Sequence, residues 1–258
     1  MAKITFILFF FISASMSAVG QKKNTTELPV EKGNAAYELQ QKIYTEALRY
    51  EDFGVARTAL YAMMALKPED KSLKDTLTIL FYTSGMPVQT VVSGRQILTE
   101  KPDNQVIMEL VAISEEALGL NKEALGNYEK LHALSKKPTH LYKVASLQFL
   151  LKRFGECAAT IQRLLGDDKA AAEKIRIDYD QGKSQEVSLK GACMNIMGLI
   201  AMELNQSGEA KKFFDEAIKS DPEFILPKGN LNLMEQIRKE QEKEKQSQPA
   251  KPAESPKK

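Results

Sequence analysis

The chain has 258 residues, is 43% hydrophobic and 27% charged, and carries a formal net charge of +2. That is enough apolar material for one elongated domain or two small ones, and the interspersed acids and bases leave no basic block of the kind that marks a nucleic-acid footprint. With two His, two Cys and no Trp, a metal or redox site would have to be built mostly from carboxylates.

Residues 1–20 read as a processing signal. Lys3 supplies the positive start, Ile4 to Ile12 an apolar run, and Ala18-Val19-Gly20 a small-x-small junction that puts cleavage before Gln21. The run is shorter than the roughly 20 apolar residues a spanning helix needs; an uncleaved anchor is the alternative. No Cys follows it to take a lipid. The sequence predicts an exported protein. The junction resembles those of Gram-negative exported proteins, which implies the periplasm, or an outer-membrane-associated or secreted location. Residues 21–33 read as a flexible lead-in.

From residue 34 the chain repeats itself. Pro68 and Pro102 each end an apolar helical pattern and lie 34 residues apart; Ala56, Thr90 and Ala124 keep the same step, and Cys157 follows 33 residues later. A period of this length is one helix–turn–helix unit, which cannot bury its apolar faces alone and must stack on neighbours. Unit one (about 37–70) carries Tyr44, Ala56, Leu60, Met63 and Pro68. Unit two (about 71–104) is degenerate: Thr78 and Thr90 hold the small positions, Gly94 stands where an aromatic belongs, and Gly85-Met86-Pro87 marks the turn between its helices. Unit three (about 105–138) has Ala112, Ala124, Tyr128 and Leu131, and unit four (about 138–166) has Ala145, Cys157, Ile161 and Leu164.

An insertion of about 19 residues, within 166–191, then interrupts the period. Gly166-Asp167-Asp168 ends unit four, and Lys169 to Lys174 prolongs or restarts helix. Ile175, Ile177 and Tyr179 alternate with Arg176, Asp178 and Asp180; after Gln181-Gly182-Lys183-Ser184, Val187 and Leu189 alternate again. Period-two runs around a Gly-containing turn predict a small β-hairpin, with an irregular loop as the alternative. The spacing Asp178-x-Asp180-x-Gly182-x-Ser184 fails as a calcium loop, because its sixth and twelfth places hold Lys183 and Leu189 instead of a glycine and an acid.

Unit five (191–222) carries Gly198, Ala210, Phe214, Ala217 and Pro222. Gly198 and Ala210 predict a close contact between its helices, Phe214 fills the gap toward the next element, and Ser220-Asp221-Pro222 stops the second helix. Phe224, Ile225, Leu226, Leu231, Leu233, Met234 and Ile237 predict an amphipathic cap helix over 224–244. Residues 245–258, rich in Pro, Lys and Ser with nothing apolar to bury, read as a disordered tail.

Unit five matches the tetratricopeptide-repeat (TPR) consensus at five positions in register, and the resemblance covers roughly residues 34–222 less the insertion. It implies an all-α, TPR-type helical solenoid of about five helix–turn–helix repeats plus a C-terminal cap helix, with a small inserted β-hairpin. Together with the export signal, it points to a non-catalytic protein–protein interaction scaffold of the cell envelope. The first helix of each unit lines a concave face that takes a protein or peptide partner. By the register, inward positions are Gln41, Thr45 and Arg49, then Asp75, Ile79 and Tyr82, then Glu109, Ile113 and Glu116, then Tyr142, Ser146 and Phe149, then Asn195, Leu199 and Met202. Among these the candidate partner-binding residues are Tyr82, Tyr142, Phe149, Asn195, Leu199 and Met202. They face solvent as a partner surface, or are buried by a tight stack or by the insertion. The TPR subfamily that clamps C-terminal carboxylates uses Lys and Asn at set positions; Gln41 and Thr45 do not match it. The rival reading is a self-assembling structural subunit, a homo-oligomer in which hairpin edges or cap helices pair between copies.

Nothing supports catalysis: there is no nucleophile elbow, phosphate loop or zincin motif, and no cofactor or nucleic-acid site is expected. His132 and His140 flank the turn between units three and four without metal-ligand spacing and read as surface or turn residues. Cys157 and Cys193 read as buried thiols acting as small apolar residues, although export permits a disulfide.

Overall fold

A computed structural model describes residues 30–180 and 183–247. The processing signal, most of the lead-in, the hairpin tip Gln181-Gly182 and most of the tail lie outside the described residues. Ten helices pair into five hairpins: α1 (Val30–Arg49) with α2 (Phe53–Leu66), α3 (Ser72–Thr83) with α4 (Pro87–Glu100), α5 (Gln105–Ala117) with α6 (Asn121–Ser135), α7 (Pro138–Leu150) with α8 (Phe154–Leu165), and α10 (Leu189–Glu203) with α11 (Ser207–Ser220). Between the fourth and fifth hairpins come a short helix α9 (Asp168–Ala172) and the antiparallel strands β1 (Lys174–Asp180) and β2 (Lys183–Ser188). Helix α12 (Ile225–Ser247) closes the series. Two boundaries differ from expectation. Helix α1 opens at Val30, inside the predicted lead-in, and α12 runs three residues past 244 into the predicted tail.

One turn, used five times, sets the period. The amides of Asp52, Met86, Leu120, Arg153 and Gln206 donate to the carbonyls five residues back, on Ala47, Phe81, Glu115, Gln148 and Ala201, at 2.8–2.9 Å. The residue before each donor has positive φ: Glu51, Gly85, Gly119, Lys152 and Asn205. This is the Schellman stop, in which a left-handed residue lets the chain satisfy the last carbonyls of a helix. The left-handed residues are 34, 34, 33 and 53 residues apart. The last step exceeds the first by 19, so the insertion leaves the turn geometry on either side intact.

Second helices start from short caps. Asp52 Oδ1 accepts from the Val55 amide (3.0 Å), and Pro87 sits in the first turn of α4, where its missing N–H costs nothing. The small positions Ala56, Thr90, Ala124, Cys157 and Ala210 are all fully buried, as close helix approach requires. In unit two the hydroxyls that replace methyls are satisfied inside the packing. Thr78 Oγ1 donates to the Lys74 carbonyl and meets Ser93 Oγ at 2.9 Å, and Thr90 Oγ1 donates to the Met86 carbonyl.

Two glycines show how the hairpins close. A Cβ on Gly198 would run into the ring of Phe214, 2.6 Å from Cδ1 and 2.8 Å from Cζ. The close neighbour of Gly198 is therefore the aromatic of α11; Ala210, predicted for that contact, lies fully buried one turn earlier. At Gly94, where the aromatic is missing, α5 moves into the space: a Cβ there would collide with Val111 and lie 3.4 Å from Ile107 Cγ2. Val111 and Ile107 are buried with Ile97 in a small core of their own.

The insertion is packed, not loose. Helix α9 lies against both α8 and α10, capped by Asp167 Oδ1, which accepts from the Lys169 and Ala170 amides. The hairpin pairs Ile175 with Val187 and Ile177 with Gln185, with an irregularity between Asp178 and Asp180. Ile175 and Val187 are buried in the large core that runs from unit three to unit five, and Ile177 packs against it. Asp221, at the end of α11, anchors the assembly. Its carboxylate accepts from the Ser188 amide (3.0 Å) and hydroxyl and pairs with Lys174 Nζ at 2.9 Å. Burial by itself would raise its pKa, but the Ser188 hydroxyl, the Lys174 ammonium and the Ser188 amide together hold it below the ordinary 3.8. A depressed carboxylate contributes stability that is present above its unfolded value and lost as pH falls through the folded one. Hairpin docking should thus weaken below pH 3.8. At neutral pH, Asp221→Ala should loosen the hairpin by about 1–3 kcal/mol, the usual penalty for stranding such donors. Amide exchange over 174–188 should accelerate while α1 to α6 keep their protection; unchanged exchange would refute the anchor.

Candidate interaction groove

The first helices of the hairpins, α1, α3, α5, α7 and α10, carry the register positions expected to face a groove. Some of them touch directly, α3 with α5 and α7 with α10. Ile79 is exposed, whereas Tyr82, Ile113, Phe149, Leu199 and Met202 are half-buried. Phe149 stacks at a tilt on Phe154, with centroids 5.9 Å apart. Leu199 and Met202 pack toward Phe214 together with Leu231 and Met234 of α12.

The candidate residues therefore do not form one open surface. Asn195 is buried, and its Oδ1 accepts from Asn230 Nδ2 of α12 at 3.0 Å. It belongs to the contact between the last hairpin and the cap helix, so its expected place on an open groove is corrected. Tyr142 packs against the main core. Burial of its hydroxyl, beside Ser146, Cys193 and Cys157, pushes its pKa well above the ordinary value. The hairpin does not account for Asn195: the cap helix covers it, an occluder that no local pattern around Asn195 announces.

Two of the groove acids are paired with lysines, and the third lies beside a histidine. Asp75 meets Lys101 Nζ at 2.9 Å, Glu116 meets Lys143 Nζ at 3.0 Å, and Glu109 Oε1 lies 3.5 Å from His140 Nε2. Behind them Tyr128 is fully enclosed, and burial, with the charge of Glu116 beside it, raises its pKa strongly. Lys143 Nζ stands 5.9 Å from the Tyr128 ring centroid. His140, read from sequence as a surface or turn residue, is instead buried, with Nδ1 2.8 Å from Ser135 Oγ. Its partners sit on α5 and α6, and no local spacing announces them. Cys157 and Cys193 are free and buried, and burial pushes each thiol up to about 12, so both stay protonated at neutral pH. Among the described residues no group of three His, Cys, Asp or Glu is placed to hold a metal, and no described helix is long and apolar enough to cross a membrane.

No protein-family model matches the sequence, and neither does any curated protein. Solved structures do. A tetratricopeptide-repeat protein from Parabacteroides merdae superposes with a TM-score of 0.60 at 17% identity, over 78% of this chain and 73% of that one. MamA superposes at 0.56 and 12% identity, over 75% of this chain and 98% of its own. YrrB, a TPR protein with an unusual peptide-binding site, superposes at 0.56 and 10% identity, over 73% of this chain and 88% of its own. At these identities the likeness is one of fold. Five stacked hairpins closed by one repeated turn, small residues buried at each hairpin contact, and this likeness together give the chain the tetratricopeptide-repeat fold.

Proposed function

We propose that the protein is a non-catalytic interaction scaffold of the cell envelope, which holds a protein or peptide partner against the first-helix surface of its repeats. The observation that carries this reading is the strip of Ile79, Tyr82, Ile113 and Phe149 on successive units, apolar side chains that the stack leaves half-covered or exposed. Aromatic and branched side chains on a rigid, pre-formed surface are efficient contact groups. Because Asp75 and Glu116 are already paired with lysines, much of the groove's charge is compensated, and binding should depend only weakly on salt. YrrB supports the reading by example, as a TPR protein with a peptide-binding site. The envelope location rests on the apolar N-terminal run and its small-residue junction.

The buried Asn195 and the packing of Leu199 and Met202 toward α12 move the expected contact away from unit five, toward units two to four. Ile79→Ala with Tyr82→Ala is expected to weaken partner capture from an envelope extract by about tenfold or more, as loss of an interface anchor does. It should cost only about 1 kcal/mol of stability, as befits partly exposed positions. A loss of several kcal/mol with capture unchanged would mark these side chains as core and end the proposal.

A further inference from the structure

We infer that the inserted hairpin is a self-pairing edge: β1 of one copy pairs antiparallel with β1 of a second copy, forming a two-fold dimer through a four-stranded sheet.

The argument begins with which backbone groups are free. The Leu189 amide donates to the Glu173 carbonyl at 2.8 Å, and Ile175 stands opposite Val187. In an antiparallel ladder, hydrogen-bonded pairs alternate with non-hydrogen-bonded ones. Ile175 and Ile177 thus turn their N–H and C=O toward β2, while Lys174, Arg176 and Asp178 turn theirs away from it. On β2 the corresponding outer side is engaged at Ser188, and the strand is tied to the chain that follows α11. The Ser188 amide is bonded to Asp221, and the Gln185 side chain bonds the Glu223 carbonyl and the Ile225 amide. On β1 the three outward residues are all exposed.

Proteins usually protect such an edge with charges that repel a second copy. Here the charges do the opposite. In a two-fold pairing, outward residues must face outward residues, which leaves few registers. Placing Lys174 opposite the partner's Arg176 sets like charges together. Centring on Arg176 or on Asp178 opposes each residue to itself. The remaining register, centred on Ile177, puts Arg176 opposite the partner's Asp178 and Asp178 opposite the partner's Arg176, with no like pair. Arg176 and Asp178 have side chains 73% and 84% exposed and, among the described residues, are joined only to each other by a 3.9 Å contact, so both can turn to a partner. On the other face this register sets Ile177, half-buried in its own copy, beside the partner's Ile177 in a close non-hydrogen-bonded pair. A self-complementary patch of this kind is what a two-fold interface requires.

This inference does not rest on the groove, and Ile79→Ala with Tyr82→Ala should leave the dimer mass unchanged. Light scattering after size exclusion, on the purified protein over a range of concentrations, should give a dimer that dissociates on dilution. Arg176→Asp and Asp178→Arg should each raise the dimer dissociation constant by about tenfold or more, since each turns two cross-strand attractions into repulsions. Both sites are exposed, so thermal melts should not move. An equimolar mixture of the two variants should regain the dimer, because one copy then presents acids at both positions and the other presents arginines. The double variant R176D/D178R should regain it too, since the swap restores opposite charges across the two-fold axis. A monomer at every concentration overturns the proposal. So does a dimer that neither charge change weakens, or a loss of dimer that mixing fails to restore.

Discussion

Gly198→Ala is expected to destabilise the protein by about 1–3 kcal/mol, the cost of overpacking a filled contact, even though alanine is the better helix former by up to about 1 kcal/mol. The added methyl would sit 2.6 Å from Phe214 Cδ1 and 2.8 Å from Cζ. Phe214 has no exposed surface into which to retreat. Gly126 is the matched control: it lies inside α6, and a Cβ there meets nothing within 4 Å. Gly126→Ala should be neutral or stabilising by up to about 1 kcal/mol. Chemical denaturation of the two variants side by side reads the difference. Adding Phe214→Leu to Gly198→Ala should recover part of the loss, because it removes the ring that the methyl strikes. Equal effects at 126 and 198 would mean that the α10–α11 contact is not where the repeat register places it.

That register was readable because its markers are residue types with one steric reason each. Ala56, Thr90, Ala124, Cys157 and Ala210 are small since two helices meet there, and the 33- or 34-residue step between the first four was visible without coordinates. The turn that sets the period was legible at two of its five places, Gly85 and Gly119, and was read at only the first. A left-handed residue is signalled by glycine, and Gly85 was seen; the same conformation is held elsewhere by Glu51, Lys152 and Asn205, where the surrounding helices impose it on residues that do not ask for it. The hairpin was legible as alternation, and its irregularity near Asp178 was not. Asp221 looked like part of a helix stop and proved to be the insertion's anchor, because its partners Lys174 and Ser188 are 47 and 33 residues away. Asn195 failed as a groove residue for a related reason: the position in the repeat is right, but α12 stacks as a further first helix would and covers it.

Arg95→Met is expected to have the largest effect of any single change away from the apolar core. Glu115 lies on α5 with its side chain 1% exposed. Arg95 Nε and Nη2 donate to its Oε1 at 3.1 and 2.8 Å, and Asn127 Nδ2 donates to Oε2 at 2.7 Å. The three residues come from α4, α5 and α6, so the network ties unit two to unit three at the level of Gly94, where the repeat lacks its aromatic. Removing the arginine strands a buried carboxylate with one neutral donor. Breaking a buried pair from one side costs about 3–5 kcal/mol; Arg95 is itself half-exposed, so the lower end of that range applies. A purely apolar role for the arginine stem predicts otherwise, since methionine retains most of that surface. The second variant separates the two accounts. Glu115→Gln placed in the Arg95→Met background removes the stranded charge and keeps an acceptor for Asn127, so it should restore about half of the lost stability or more. If instead the double variant is less stable than Arg95→Met alone, the carboxylate is not the origin of the cost. Because repeat stacks unfold through nearest-neighbour interfaces, the loss should appear first as faster amide exchange in α4 to α6, with α10 and α11 little changed.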